Sequence, residues 1–112
     1  MSSVKVDATR TDPARVFAAL GDHTRLSLLL RLSDGATQSI ANLSADTRLT
    51  RQAVTKHLRV LEQAGLVRNM RAGRESRFAY RPEPIEEARS YLDTVSAQWD
   101  AALERLRSFV EE

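Results

Sequence analysis

Cysteine is absent from the 112 residues. Without a thiol there can be no disulfide, no thiolate metal site and no cysteine nucleophile, and the chain is compatible with a cytoplasmic setting. Long apolar runs are absent too. No stretch approaches the roughly 18 consecutive apolar residues of a membrane span, so no membrane partner is expected. Met1 to Arg10 lacks the apolar core of a signal peptide and reads as part of a polar, flexible arm over residues 1–11. There is no glycine-rich phosphate loop, no metal-ligand cluster and no nucleophile with an obvious histidine partner. No catalytic residue, metal or cofactor is therefore expected. The last absence is local: one side of the helical segment from Arg51 to Gln63 has no carboxylate.

Against these absences stands a polarised charge. The net charge is only +2, yet Arg48, Arg51, Lys56, Arg59, Arg68, Arg71, Arg74, Arg77 and Arg81 face only Glu62 and Glu75 in the same span. From Pro82 onward the sign reverses, with Glu83, Glu86, Glu87, Asp93, Asp100, Glu104, Glu111 and Glu112 against Arg89, Arg105 and Arg107. A chain that gathers cations in one contiguous third is suited to a polyanion. The plain alternative is a solvated surface without a partner.

The pattern predicts one mainly α domain. Asp12-Pro13 caps a first helix carrying Val16, Phe17 and Leu20 and ending at Gly21. Asp22 caps a second, running through Leu32 and apolar nearly all round, which is expected to be the central buried element. A third runs from about Gln38 to Ala45, with Ile40 and Leu43 inward, and Leu49 plugs the turn that follows. Thr50 caps the fourth, Arg51 to Gln63, closed by Gly65. Leu66 to Met70 and Arg77 to Arg81 read as two strands around a tip containing Gly73. A long helix follows from about Pro84 to Val110.

On the fourth helix Val54, His57, Leu58 and Leu61 share one side, while Gln52, Thr55, Lys56 and Arg59 share the other, with Arg51 at its edge. A cationic, hydrogen-bonding, acid-free face is what a helix needs to read base edges in a DNA major groove. Arg51, Gln52, Thr55 and Lys56 are the expected base readers. Arg48, Arg59, Arg71, Arg74 and Arg77 are expected on phosphate or in the hairpin wing, together with Thr37, Gln38 and Ser39 at the start of the third helix. His57 is expected to be a packed, hydrogen-bonded core residue rather than a metal ligand.

The last helix carries Ile85, Ala88, Leu92, Val95, Trp99, Leu103, Leu106 and Val110 at spacings of three and four. So long a seam exceeds what four short helices can cover, and a two-fold homodimer is the expected solution. Val16, Phe17 and Leu20 of the first helix are expected to share that interface. The division is then a domain at 12–81 for DNA and a dimerisation helix at 82–112.

Two strings extend these expectations. Phe17-Ala18-Ala19-Leu20-Gly21-Asp22-His23-Thr24-Arg25 resembles the opening F-x-A-L-x-D-P-T-R of the ArsR family of bacterial winged-helix repressors. Gln52-Ala53-Val54-Thr55-Lys56-His57-Leu58-Arg59-Val60-Leu61-Glu62-Gln63-Ala64-Gly65-Leu66-Val67 resembles its recognition helix and exit. The resemblance implies a winged helix-turn-helix fold and a homodimeric repressor of a palindromic operator, often in front of its own gene and commonly released by an effector. Where the family's metal sensors carry a cysteine box, this chain has Ser39-Ile40-Ala41-Asn42-Leu43, and the last helix has no histidine. A metal-independent branch is implied; Asp93, Asp100 and Glu104 would make at best a weak hard-cation site. No residue identifies a small-molecule effector. The competing readings are a winged-helix module that binds protein rather than DNA, and a small enzyme or carrier, for which no polar pocket is apparent.

Overall fold

Side-chain caps start three of the helices. The computed structural model describes residues 12–45 and 47–111; the arm expected at 1–11 lies outside them. The order is α1 (Pro13–Leu20), α2 (His23–Leu32), β1 (Gln38–Ser39), α3 (Ile40–Ala45), α4 (Arg51–Gln63), β2 (Val67–Ala72), β3 (Glu75–Tyr80) and α5 (Glu83–Glu111). Asp12 accepts from the Ala14 amide, Asp22 from that of Arg25 and Thr50 from that of Ala53, each taking up an amide that a helix start leaves unpaired. Gly65, at φ +78°, ends α4. The Leu66 amide donates to Leu61 O and the Gly65 amide to Glu62 O, both at 2.9 Å, which closes the last turn.

Two boundaries differ from expectation. Gln38 and Ser39 are not helical; they form β1, antiparallel to β3 with Gln38 opposite Phe78 and Ser39 opposite Arg77. The reason is non-local, since a two-residue strand exists only by pairing with a segment far along the chain. The hairpin strands also run closer to their tip than expected, through Ala72 and from Glu75. Only Gly73 and Arg74 form the loop, and Gly73 at φ +64° supplies the left-handed residue such a loop requires. The sheet order is β1-β3-β2.

Val16, Leu28, Leu32, Leu43, Val54, Leu58, Leu61 and Leu66 make the centre of the core. Burying a side chain of this kind contributes about 1.5–3 kcal/mol. α2 is less enclosed than its composition suggests: Leu28, Leu29 and Leu32 are buried, whereas Leu26 and Leu30 are exposed. Val16, expected at a dimer interface, is 0% exposed within the single chain, and Ala88 is buried there as well. Both belong to the subunit's own core. Phe17, Leu20 and Ile85 are partly buried against it, and the Phe17 and Tyr91 rings meet at 6.2 Å.

α5 has 29 residues, about 43 Å at 1.5 Å per residue, and stretches the molecule to 68 × 34 × 22 Å. Its first turns pack on the core through Pro84 and Ala88. Farther along, Trp99 is 64% exposed, and Leu92, Leu103, Leu106, Phe109 and Val110 are also open to solvent.

Candidate nucleic-acid interface

α4 anchors itself through Val54, Leu58 and Leu61, all fully buried. The 100° step between residues then turns Arg51, Gln52, Lys56 and Arg59 outward, where all four are exposed. None of the four makes a side-chain hydrogen bond or ion pair with another described residue. Their donors are free for a partner. Thr55, half-buried on the same side, donates its hydroxyl proton to the Arg51 carbonyl at 2.7 Å.

His57 lies at the rim of α4 rather than in the core, with its side chain 25% exposed. Its Nδ1 is 3.4 Å from Arg25 Nη1 and 3.8 Å from Asp22 Oδ2. Arg25 Nε donates to Ala19 O at 2.6 Å and Nη2 to Ala18 O at 3.3 Å. A cation on the closing carbonyls of α1 complements the negative end of that helix. The Arg25 amide, followed by the Arg25 and His57 charges, holds the Asp22 carboxyl below the usual carboxylate range, opposed by partial burial. The cluster thus joins the end of α1, the start of α2 and the flank of α4. Sequence reasoning met Arg25 only within a family string; its position three residues after a capping aspartate was the available signal.

The segment ahead of α3 departs from expectation. Ser39 is 2% exposed and its Oγ accepts from the Asn42 amide at 3.0 Å. Gln38 Nε2 donates to Arg31 O at 3.0 Å. The Ser39 side chain is thus enclosed in the fold, while Gln38 is half-buried with its amide nitrogen bonded internally. Thr37 remains partly exposed.

The wing divides similarly. Arg71 and Arg74 are exposed, without a recorded partner among the described residues, as is Arg48 in the turn before α4. Arg77 is not free. Its guanidinium donates to Thr37 Oγ1, to Thr37 O and to Glu75 Oε1, each at 2.9 Å. The guanidinium expected on phosphate is engaged internally, because β1 brings Thr37 within reach.

Among the described residues no group of three or more His, Cys, Asp or Glu side chains could hold a metal ion. No helix there is long and apolar enough to cross a membrane.

A family model described as a helix-turn-helix domain matches residues 20–69. The chain is 33% identical over 96 residues to the HTH-type transcriptional regulator Rv2034 of Mycobacterium tuberculosis, covering 86% of each. Among solved structures it is similar to an ArsR-like transcriptional regulator from Rhodococcus sp. RHA1, with a TM-score of 0.76 and 36% identity over 87% of this chain and 91% of that one. It also shares the fold of a homodimeric winged helix-turn-helix DNA-binding domain from Mycobacterium bovis, at a TM-score of 0.61 and 22% identity over 76% of this chain and 78% of that one. These relatives are regulators of transcription rather than enzymes. With the outward cationic helix and the arginine wing in place, the chain belongs to the ArsR family of winged helix-turn-helix DNA-binding transcriptional regulators.

Proposed function

We propose that the protein is a homodimeric repressor of an inverted-repeat operator, one of its targets being its own promoter. The observation that carries this reading is the exposed, acid-free face of α4, on which Arg51, Gln52, Lys56 and Arg59 have no partner among the described residues. Arg51 and Gln52 at the helix start suit bidentate pairing with guanine and adenine, and Thr55 and Lys56 complete the reading set. Arg59 and Arg48 suit phosphate, and Arg71 and Arg74 suit the backbone or minor groove beside the wing.

In this reading residues 12–81 form the DNA-binding part and residues 82–112 the dimerisation helix. The apolar seam of α5 from Leu92 to Val110 is left uncovered by its own chain, and a second copy would bury it. The Mycobacterium bovis domain of the same fold is itself homodimeric. A two-fold dimer places its two α4 helices in major grooves about 34–36 Å apart or a multiple of that. Lacking cysteine and any clustered ligand set among its described residues, the chain is proposed to act without metal.

Selection of bound sequences from random duplex DNA tests the reading. A two-fold symmetric consensus is expected, and its loss with Arg51→Ala and Gln52→Ala. An asymmetric or absent consensus would overturn it. Transcription of a template carrying the selected site, and of one carrying the protein's own upstream region, should fall when the protein is added; a rise would make it an activator.

A further inference from the structure

The wing leaves the three-stranded part of the sheet at Arg77. Phe78 and Arg77 pair with β1 on one side and β2 on the other, whereas Ser76 and Glu75 pair with β2 alone. From there to the Gly73 tip the wing is a two-stranded ribbon, which has little stability by itself. Residues two apart on a strand share a sheet face. Thr37, two before Ser39, and Glu75, two before Arg77, therefore flank the Arg77 side chain on one face. All three guanidinium nitrogens are used there: Nε on Thr37 Oγ1, Nη2 on Thr37 O and Nη1 on Glu75 Oε1. The side chain is 28% exposed.

We infer that Arg77 is a positioning residue, which ties the free end of the wing to the segment leading into α3 so that Arg71 and Arg74 meet the DNA backbone in register with α4. The inference rests on the proposed contact of the wing arginines with phosphate. The planar fork reaches a hydroxyl, a carbonyl and a carboxylate from three separate nitrogens in fixed directions; lysine offers one nitrogen without that geometry. The Arg77 charge also offsets Glu75, a carboxylate at the wing tip that would otherwise repel phosphate. Thr37 Oγ1 accepts from Arg77 and keeps its own proton to donate outward.

The experiment measures binding of the full chain to a short duplex of mixed sequence across a salt series, with thermal melts as the folding control. The double variant Arg71→Ala/Arg74→Ala should flatten the log–log salt dependence by about two units. Arg77→Lys, which keeps the charge, should flatten it as much, and adding Arg77→Lys to the double variant should change nothing more. Arg77→Lys that binds like the unsubstituted chain, while the double variant flattens the slope, overturns this inference alone. A slope unchanged in the double variant overturns the wing contact and the inference together. A further full unit lost when Arg77→Gln and Glu75→Gln are added together to the double variant marks a direct phosphate contact, and also overturns it. Should Arg77 variants fail to fold, Thr37→Val decides. Thr37 is uncharged, so loss of its own contact leaves the slope unaltered; a flattened slope supports positioning and an unaltered one overturns it.

Discussion

The Thr55 hydroxyl and the Arg51 carbonyl, one helical turn apart in α4, are joined at 2.7 Å. A hydroxyl has a single proton, and here it is spent within the helix. What Thr55 has left to offer is a methyl group and lone pairs, suited to a thymine methyl or to an exocyclic amine. Thr55→Val keeps the methyl group, whereas Thr55→Ser does not. In competition binding against single-base variants of the selected site, Thr55→Ser is expected to lose more discrimination than Thr55→Val. The reverse order would show the hydroxyl acting as a donor to DNA.

Arg51 and Gln52 are exposed and make no side-chain contact with a described residue. Replacing either with alanine should leave the melting temperature within the small range of surface substitutions. Discrimination at one base pair should fall by about 1–3 kcal/mol for each. Leu58→Ala is the opposite case, because it opens a cavity at a fully buried site and should destabilise the fold by about 2–5 kcal/mol. Calorimetry paired with binding isotherms separates the two behaviours; a large melting shift for Arg51→Ala would place that side chain in the fold instead.

The seam of α5 yields a test of assembly. Trp99 and Leu103 are exposed in the single chain, so a charge placed there costs the subunit's own packing little. Trp99→Glu or Leu103→Glu should convert a dimer to a monomer in sedimentation velocity and weaken binding to a two-half-site duplex far more than to a single half-site. An unchanged mass for both variants would show that the seam is not the interface.

Asp22 gives a pH dependence. Its carboxyl is held low, first by the Arg25 amide and then by the Arg25 and His57 charges. A carboxylate whose folded value lies below its unfolded value of about 3.9 adds stability above that value and loses it as pH falls through the folded one. Asp22→Asn keeps a capping oxygen without the charge. The gap in melting temperature between the parent and Asp22→Asn should therefore be present at neutral pH and close under acid conditions. A gap that is constant across the range would show that the charge has no part in it.

Local chemistry made much of the protein legible from the sequence. Asp12, Asp22 and Thr50 cap helices because each needs only the amides two or three residues ahead. Gly65 closes α4 for an equally short-range reason. The inward row Val54, Leu58 and Leu61 and the outward row Gln52, Lys56 and Arg59 follow from helical periodicity alone. Charge segregation and the two family strings are likewise properties of chain order. What the tertiary structure decided depends on residues distant in sequence. β1 exists because Gln38 and Ser39 meet Phe78 and Arg77, and that pairing brings the Arg77 guanidinium onto Thr37. Val16 and Ala88 are interior because α1 packs on α5 within one chain, which no helical wheel can distinguish from packing on another. Periodicity says which side of a helix is apolar; only the assembled fold says what covers it.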